Sequence, residues 1–359
     1  MKIETEILQD AVKKVFPFVA QISTVPVYTH FLLDTRSGTL KVSGFDYEGT
    51  CVYDTGFAID DGEIYATVPA KLFRDDILGI DEDEVDLKMD KNKLAVKTKR
   101  HRARIESLPG DEFIMPRYDG VFYPVDPRIL DAMERCAAPI NEKKKPPVLT
   151  GVHLRVEKGV IQAFGTYGAR AGRYEVDFGD DTDFNITIPK RMAVNIAKCA
   201  RGEDDLQIST SENAIIFSTT KTKLTSQLLD GEYPHVWSFF ERSREGYNTI
   251  TVDGTVLSDA LKRSMVFITK TDSYILLSSS QDTLVINATA THGAGFEEVE
   301  MDAECGVSVD VALNAQFLYD FARLLKGERV IISVRGKQDP VYLNGLDNFE
   351  YVMMPMVIR

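Results

Sequence analysis

Asp10-Ala11-Val12-Lys13-Lys14 returns as Asp131-Ala132-Met133-Glu134-Arg135 and again as Asp259-Ala260-Leu261-Lys262-Arg263. A second marker follows each time in the same order. Gly38-Thr39-Leu40-Lys41-Val42 matches Gly159-Val160-Ile161-Gln162-Ala163 and Asp282-Thr283-Leu284-Val285-Ile286. A third, Val68-Pro69-Ala70-Lys71, is echoed by Ile188-Pro189-Lys190-Arg191. The period is roughly 120–130 residues, too long for a solenoid unit and the size of a whole domain. The chain therefore reads as three tandem copies, expected at residues 1–120, 121–245 and 246–359. Function then belongs to the assembly of copies rather than to one pocket.

Each copy reads as helix, strands, helix, strands. Ile7, Leu8, Ala11, Val12 and Val15 recur at helical spacing, with Asp10, Lys13 and Lys14 on the opposite stripe. Phe31-Leu32-Leu33-Asp34 and Leu40-Lys41-Val42-Ser43 flank Ser37-Gly38, a hairpin signal. Pro69 is placed to open a second helix over residues 70–77. The later copies place helices near 128–138, 190–200, 256–267 and 314–325. Two helices packed on antiparallel sheets make each copy an α+β domain. The copies join through a proline-rich stretch, 109–127, and a polar one, 241–246. The lysine run in 141–147 reads as a solvated loop.

The 359 residues are 44 % hydrophobic and 27 % charged, an ordinary soluble composition. No apolar run approaches the roughly 18 residues of a membrane span, and the N-terminus lacks the order of a signal peptide. A cytoplasmic protein is expected. Cys51, Cys136, Cys199 and Cys305 form no CxxC pair, so reduced core thiols are expected rather than a disulfide framework or a zinc site. The net charge of −13 argues against a surface that coats nucleic acid everywhere. Screening within about 8–10 Å still allows a local basic strip.

Catalytic signatures are missing. There is no phosphate-binding loop, zinc-protease helix or nucleophile elbow. His30, His101, His153, His235 and His292 have no ligand partner at helical spacing. Gly165-Thr166-Tyr167-Gly168-Ala169-Arg170-Ala171-Gly172 lacks dinucleotide-motif spacing. Asp60-Asp61 and Asp180-Asp181 read as surface turns. No catalytic residue, metal or cofactor is expected.

The basic residues are better organised. First helices carry Lys13 and Lys14, then Arg135, then Lys262 and Arg263. Second helices carry Lys71 and Arg74, then Lys190, Arg191 and Lys198, then Arg323 and Lys326. For any one lysine a solvated helix face is the ordinary explanation. Recurrence at equivalent positions points instead to a surface that holds a polyanion through its phosphates without reading bases. The candidates for that polyanion-holding surface are Lys13, Lys14, Lys71, Arg74, Arg135, Lys190, Arg191, Lys198, Lys262 and Arg263.

Four further stretches carry a resemblance. They are Leu108-Pro109-Gly110-Asp111-Glu112-Phe113, Leu149-Thr150-Gly151-Val152-His153-Leu154, Leu228-Leu229-Asp230-Gly231-Glu232-Tyr233-Pro234 and Tyr351-Val352-Met353-Met354-Pro355-Met356. Over its full length the chain resembles the bacterial DNA polymerase III β sliding clamp family. The resemblance implies a head-to-tail homodimer closed as a ring of six domains, with helices lining a hole that duplex DNA threads. It implies a processivity factor without catalysis, tethering the replicative polymerase and the clamp loader through short linear motifs. By residue-wise resemblance, a partner-peptide cleft is walled by Leu149, Thr166, Gly168, Arg170, Pro234, Phe239, Asn314, Phe317, Val352, Met354, Pro355 and Met356. The dimer contact sets Val266 and Phe267 against Ala103 and Ile105.

The chain departs from the family's Thr-Asp-x-His-Arg-Leu, reading Thr166-Tyr167-Gly168-Ala169-Arg170-Ala171, and its tail runs on through Val357-Ile358-Arg359. Ala169 and Ala171 replace larger residues, so a wider groove preferring a bulkier anchor is expected. Such drift fits a diverged clamp, phage-encoded and acting in its host's cytoplasm. The rival readings are a clamp-shaped scaffold that does not encircle DNA and, further off, a repeat-built hydrolase.

Overall fold

The helices are set by their apolar stripes and caps. α1 (Thr5–Val15) buries Thr5, Leu8, Ala11, Val12 and Val15, the stripe of a helix lying on a sheet. Leu8, Val12 and Val15 are fully buried, each contributing roughly 1.5–3 kcal/mol. α1 packs on α2 (Ala70–Leu78), which follows directly from the strand ending at Pro69. α3 (Arg128–Ala137) and α4 (Lys190–Ala200) are the corresponding pair in the second copy. α5 (Gly254–Ser264) begins before the expected position because Asp253 caps it, accepting from the Thr255 and Val256 N–H groups. It ends at Ser264, and a 3-10 turn, Met265–Phe267, takes Phe267 off the helix. α6 (Ala315–Ala322) is capped by Asn314, whose Oδ1 accepts from the Phe317 N–H.

The structure, a computed structural model, describes every residue except 60–62, 117, 119, 144–145, 180–181, 270–272, 281, 291–292, 303–309, 346 and 358–359. Asp60-Asp61, Asp180-Asp181, His292, Cys305 and the end of the tail therefore lie outside the described residues. No helix among the described residues is long and apolar enough to cross a membrane.

Two compact units emerge. The first comprises Met1–Leu130 and Arg191–Leu228. It holds a four-stranded sheet whose outer strand is Arg102–Glu106, and a nine-stranded antiparallel sheet. In the larger sheet Thr222–Gln227 of the second copy pairs with Gly49–Ala58 of the first. The second unit comprises Asp131–Lys190 and Leu229–Arg359. Its eight-stranded sheet pairs Arg170–Asp177 of the second copy with Phe349–Met353 of the third. Its other sheet has four strands, with Gly293–Glu300 outermost. The compact units thus cut through the middle copy, because each large sheet runs unbroken from one copy into the next.

Two buried histidines each meet a threonine on the neighbouring strand. His30 Nδ1 lies 3.0 Å from Thr67 Oγ1 and His153 Nδ1 lies 3.1 Å from Thr187 Oγ1, both pairs buried. His153 stands directly opposite Thr187, whereas His30 stands opposite Pro69 and reaches Thr67 diagonally, so the two histidines occupy different register positions in their copies. Burial lowers the pKa of His30 and pushes His153 down to about 4, so both are held neutral. Cys51, Cys136 and Cys199 are buried free thiols.

Candidate functional site

The residues expected to wall a partner cleft all fall in the second unit. Their placement begins with one tight turn. Gly168 and Ala169 join the strands Val160–Tyr167 and Arg170–Asp177, and Gly168 has φ +58°. A positive φ at the first turn position is what glycine permits without strain. The turn brings Arg170 to the head of its strand, opposite Met353. The chain end then folds back over it. The Met354 N–H donates to the Ala169 carbonyl at 2.8 Å and the Met356 N–H to the Ala312 carbonyl at 2.8 Å.

Arg170 organises this corner. It is buried, its Nε donates to the Pro139 carbonyl at 3.0 Å, and its Nη1 pairs with Asp320 at 2.8 Å. Its guanidinium carbon lies 4.0 Å from the centroid of the Phe317 ring. Thr166 Oγ1 donates to the Arg170 carbonyl, and Asn314 holds Phe317 through the α6 cap. Phe239 accepts from the Tyr342 hydroxyl through its carbonyl. Leu149 and Phe239 pack on a core cluster containing Val148, Phe164, Ala171, Tyr233, Val236, Phe240, Tyr342 and Val352. Pro234 and Met354 are exposed, and Pro355 and Met356 half-buried. The tail thus offers apolar surface on a backbone held by two hydrogen bonds.

The expected widening at Ala171 is corrected. Ala171 is 3 % exposed, packed within that aromatic cluster. Phe164 faces Trp237 at 5.9 Å and Phe240 at 6.3 Å, so rings fill the neighbourhood. Open space lies elsewhere: a cavity of about 390 Å³ lined by Pro146, Leu149, Glu232, Tyr233, Pro234, His235 and Trp237. Only Leu149 and Pro234 of these were expected. The available signal was the stretch Tyr233-Pro234-His235-Val236-Trp237, which holds the chain's single tryptophan.

The basic helix residues divide into two groups. Arg135, expected among the DNA contacts, is drawn into an internal ion-pair network. Its side chain is 15 % exposed and locked between Glu328 at 2.8 Å and Asp347 at 2.6 Å. Lys190 donates to the Ile140 carbonyl at 2.8 Å, and burial lowers its pKa. Lys14 pairs with Glu203 and with Asp10, and Arg191 pairs with Asp46 at 2.5 Å and Glu48 at 2.7 Å. Arg74 lies over Phe16 and pairs with Asp75, while Arg263 forms an exposed pair with Glu297. Lys13, Lys71, Lys198 and Lys262 are exposed. Among the described residues they have no carboxylate within ion-pair distance. One such lysine stands on each of α1, α2, α4 and α5.

The two outer strands have opposite charge. Arg102 and Arg104 project from Arg102–Glu106, exposed and without an ion-pair partner among the described residues. Glu298 and Glu300 do the same on Gly293–Glu300, beside Phe296, which is 60 % exposed. Ile105, expected at the dimer contact, is buried in its own sheet, because side chains alternate along a strand. Ala103 is half-buried and Val266 is 80 % exposed. Phe267 is half-buried, its ring lying over Gly293 and Gly295, where an added Cβ would meet it at 3.5 and 2.5 Å.

Comparison with known proteins covers the whole chain. Models of the DNA polymerase III beta subunit match in order: its N-terminal domain at residues 1–118, its central domain at 127–235 and its C-terminal domain at 244–357. A beta sliding clamp from Pseudomonas aeruginosa is 24 % identical, covering 99 % of this chain and 98 % of its own. One from Chlamydia muridarum is 23 % identical, covering 97 % of this chain and 96 % of its own. A Pseudomonas aeruginosa sliding clamp bound to griselimycin shares the fold with a TM-score of 0.86 at 22 % identity, over 100 % of this chain and 99 % of that one. A Helicobacter pylori beta clamp bound to a DNA ligase peptide has a TM-score of 0.84 at 17 % identity, over 100 % of both chains.

Proposed function

Because the chain belongs to the DNA polymerase III beta subunit family, whose members are non-enzymatic sliding clamps, we propose how its surfaces close a ring, hold DNA and receive partners. The observation that carries the reading is the pair of unpaired sheet edges with opposite charge. Arg102 and Arg104 stand on an outer strand of the first copy, and Glu298 and Glu300 on an outer strand of the third. An exposed strand edge is a template for pairing with another chain. Opposite charges fix which edge meets which. A head-to-tail contact between two copies satisfies both edges, and its twofold repetition closes a ring of six domains. Val266 and Phe296 supply exposed apolar contact on one side, and Ala103 lies between the two arginines on the other.

DNA is held through phosphates alone, chiefly by Lys13, Lys71, Lys198 and Lys262. Arg74 and Arg263 can exchange an exposed carboxylate for a phosphate, since such pairs contribute little. Lys14, Lys190 and Arg191 keep the helices in place and Arg135 serves an internal network. Sequence-blind contact is what sliding requires, because base readout would stop the ring. The replicative polymerase and the clamp loader dock by short motifs at the cleft around Arg170 and Met354. The proposed domain limits are 1–120, 121–245 and 246–359, and the protein acts in the cytoplasm on the nucleoid.

The test is a charge swap read by mass and by DNA retention. Arg102→Glu with Arg104→Glu converts the dimer to a monomer in sedimentation, and adding Glu298→Arg with Glu300→Arg restores it. The restored ring stays on closed circular DNA at raised salt but runs off linear DNA. Equal release from both forms favours the scaffold reading, and an unchanged dimer in the first variant removes the proposed contact.

A further inference from the structure

We propose that Cys51 and Cys199 form a redox-sensitive staple that locks the first copy to the second. Their sulfurs lie 3.9 Å apart, and both are buried free thiols. Each copy supplies one. Cys51 sits on the strand Gly49–Ala58, within the match to the N-terminal domain, and Cys199 on α4, within the match to the central domain. Cys51 stands opposite Leu224, where the strands of the two copies pair. That junction is otherwise held by strand pairing and by ion pairs, Lys14 with Glu203 and Arg191 with Asp46. A disulfide here links positions 148 apart in the chain, and the constraint on the unfolded chain grows with the length of the closed loop. Cys136 is placed differently, its Sγ donating to the Ala163 carbonyl at 3.3 Å.

The surroundings set when the staple closes. A disulfide holds its sulfurs about 2.05 Å apart, so the two side chains must approach by roughly 2 Å. Burial, and then the neighbouring Cys199, push the Cys51 thiol well up, against the pull of the Lys14 ammonium. A protonated thiol is a poor nucleophile, so the pair stays reduced while the corner is closed. Lys14 stands beside it, over the Tyr53 ring at 4.8 Å and paired with Glu203. An oxidant small enough to enter as this corner loosens is hydrogen peroxide. Cys199 is 3 % exposed and Cys51 wholly enclosed, so Cys199 reacts first. Its sulfur attacks one peroxide oxygen. An S–O bond forms, the O–O bond breaks, and the departing hydroxide leaves as water with the Cys199 proton. The Cys51 sulfur then attacks the sulfenic sulfur. An S–S bond forms, the S–O bond breaks, and hydroxide leaves as a second water with the Cys51 proton. Two thiols are oxidised by two electrons, and one peroxide is reduced to two waters. In a reducing compartment such a bond is transient and responds to oxidant.

The full-length protein is treated with hydrogen peroxide, alkylated under denaturing conditions, digested and mapped by mass spectrometry. A peptide cross-linked between Cys51 and Cys199 is expected, and dithiothreitol removes it. Cys136 is recovered as an alkylated thiol. The oxidised protein melts about 5–10 °C above the reduced one, and the amides of Thr222–Gln227 exchange more slowly. Cys51→Ala and Cys199→Ala each abolish the cross-link and the shift. The wild-type protein is also compared with itself before and after reduction, so the result does not depend on either variant folding. Recovery of Cys51 and Cys199 as alkylated thiols, as sulfinic acids or joined to Cys305 overturns the staple. A Cys51–Cys199 cross-link that leaves melting and exchange unmoved overturns the lock.

Discussion

The helix surfaces and the cleft around Arg170 both carry positive charge, yet they use it in opposite ways. On the helices the open charges are lysines on flexible stems, Lys13, Lys71, Lys198 and Lys262, one to a helix. In the cleft the charge is a single arginine, buried and held by Pro139, Asp320 and the face of Phe317. A lysine ammonium is a mobile point charge, and an arginine fork is a fixed template. The difference matches the two tasks proposed for these surfaces. A surface along which DNA slides must avoid defined geometry, and a surface that selects a peptide must have it.

The largest expected effect is at the cleft. Deleting residues 354–359 removes the strand-end surface pinned to Ala169 and Ala312. Polymerase stimulation is then lost completely while the dimer persists in sedimentation, because that tail is remote in sequence from both charged edges. Retained stimulation would move the partner site elsewhere and dissolve the contrast.

Next comes the fixed arginine itself. Arg170→Ala takes from largely buried Asp320 its 2.8 Å partner and leaves it Gln316 and a 3.9 Å contact with Arg323, a change that costs up to about 3–5 kcal/mol. Arg263→Ala breaks an exposed pair with Glu297 and leaves thermal stability unchanged. Equal stability losses in urea or heat unfolding would show that burial does not separate the two charges.

A smaller effect lies at a buried histidine. His153 is held neutral by burial with its pKa pushed down to about 4, against about 6.5 in an unfolded chain. Below that unfolded value the unfolded state binds a proton that the folded state refuses. Stability is therefore full above about pH 6.5 and falls as the pH drops toward 4, by a total on the order of 3 kcal/mol. His153→Gln flattens this slope in unfolding experiments between those limits. An unchanged slope would assign the acid sensitivity to other groups.

The lysines give the smallest effect per residue. Each of Lys13→Ala, Lys71→Ala, Lys198→Ala and Lys262→Ala lowers the salt dependence of binding to open DNA by about one counterion. Arg135→Gln leaves that slope unchanged, because Arg135 already faces Glu328 and Asp347. A slope that responds to Arg135 but not to the lysines would reverse the division of the basic residues.

Periodicity and repetition alone determined the three-copy plan, the helix positions and the α+β class. Those depend on local spacing, and Leu8, Val12 and Val15 fall on one face whatever surrounds them. The residues that the resemblance assigns to a cleft include ones on paired strands, such as Arg170 opposite Met353. Charge partners were decided only by the fold. Arg135 and Glu328 are distant in sequence, so nothing local reveals that one neutralises the other. Strand alternation was local, yet which side faced the core was not, and Ile105 turned inward. The cavity too was decided by packing. Ala171 packs among aromatic rings from elsewhere in the chain, and the open space lies beside Trp237. The underlying reason is that periodicity reports a residue's own backbone, whereas burial and pairing depend on what long-range contacts bring beside it.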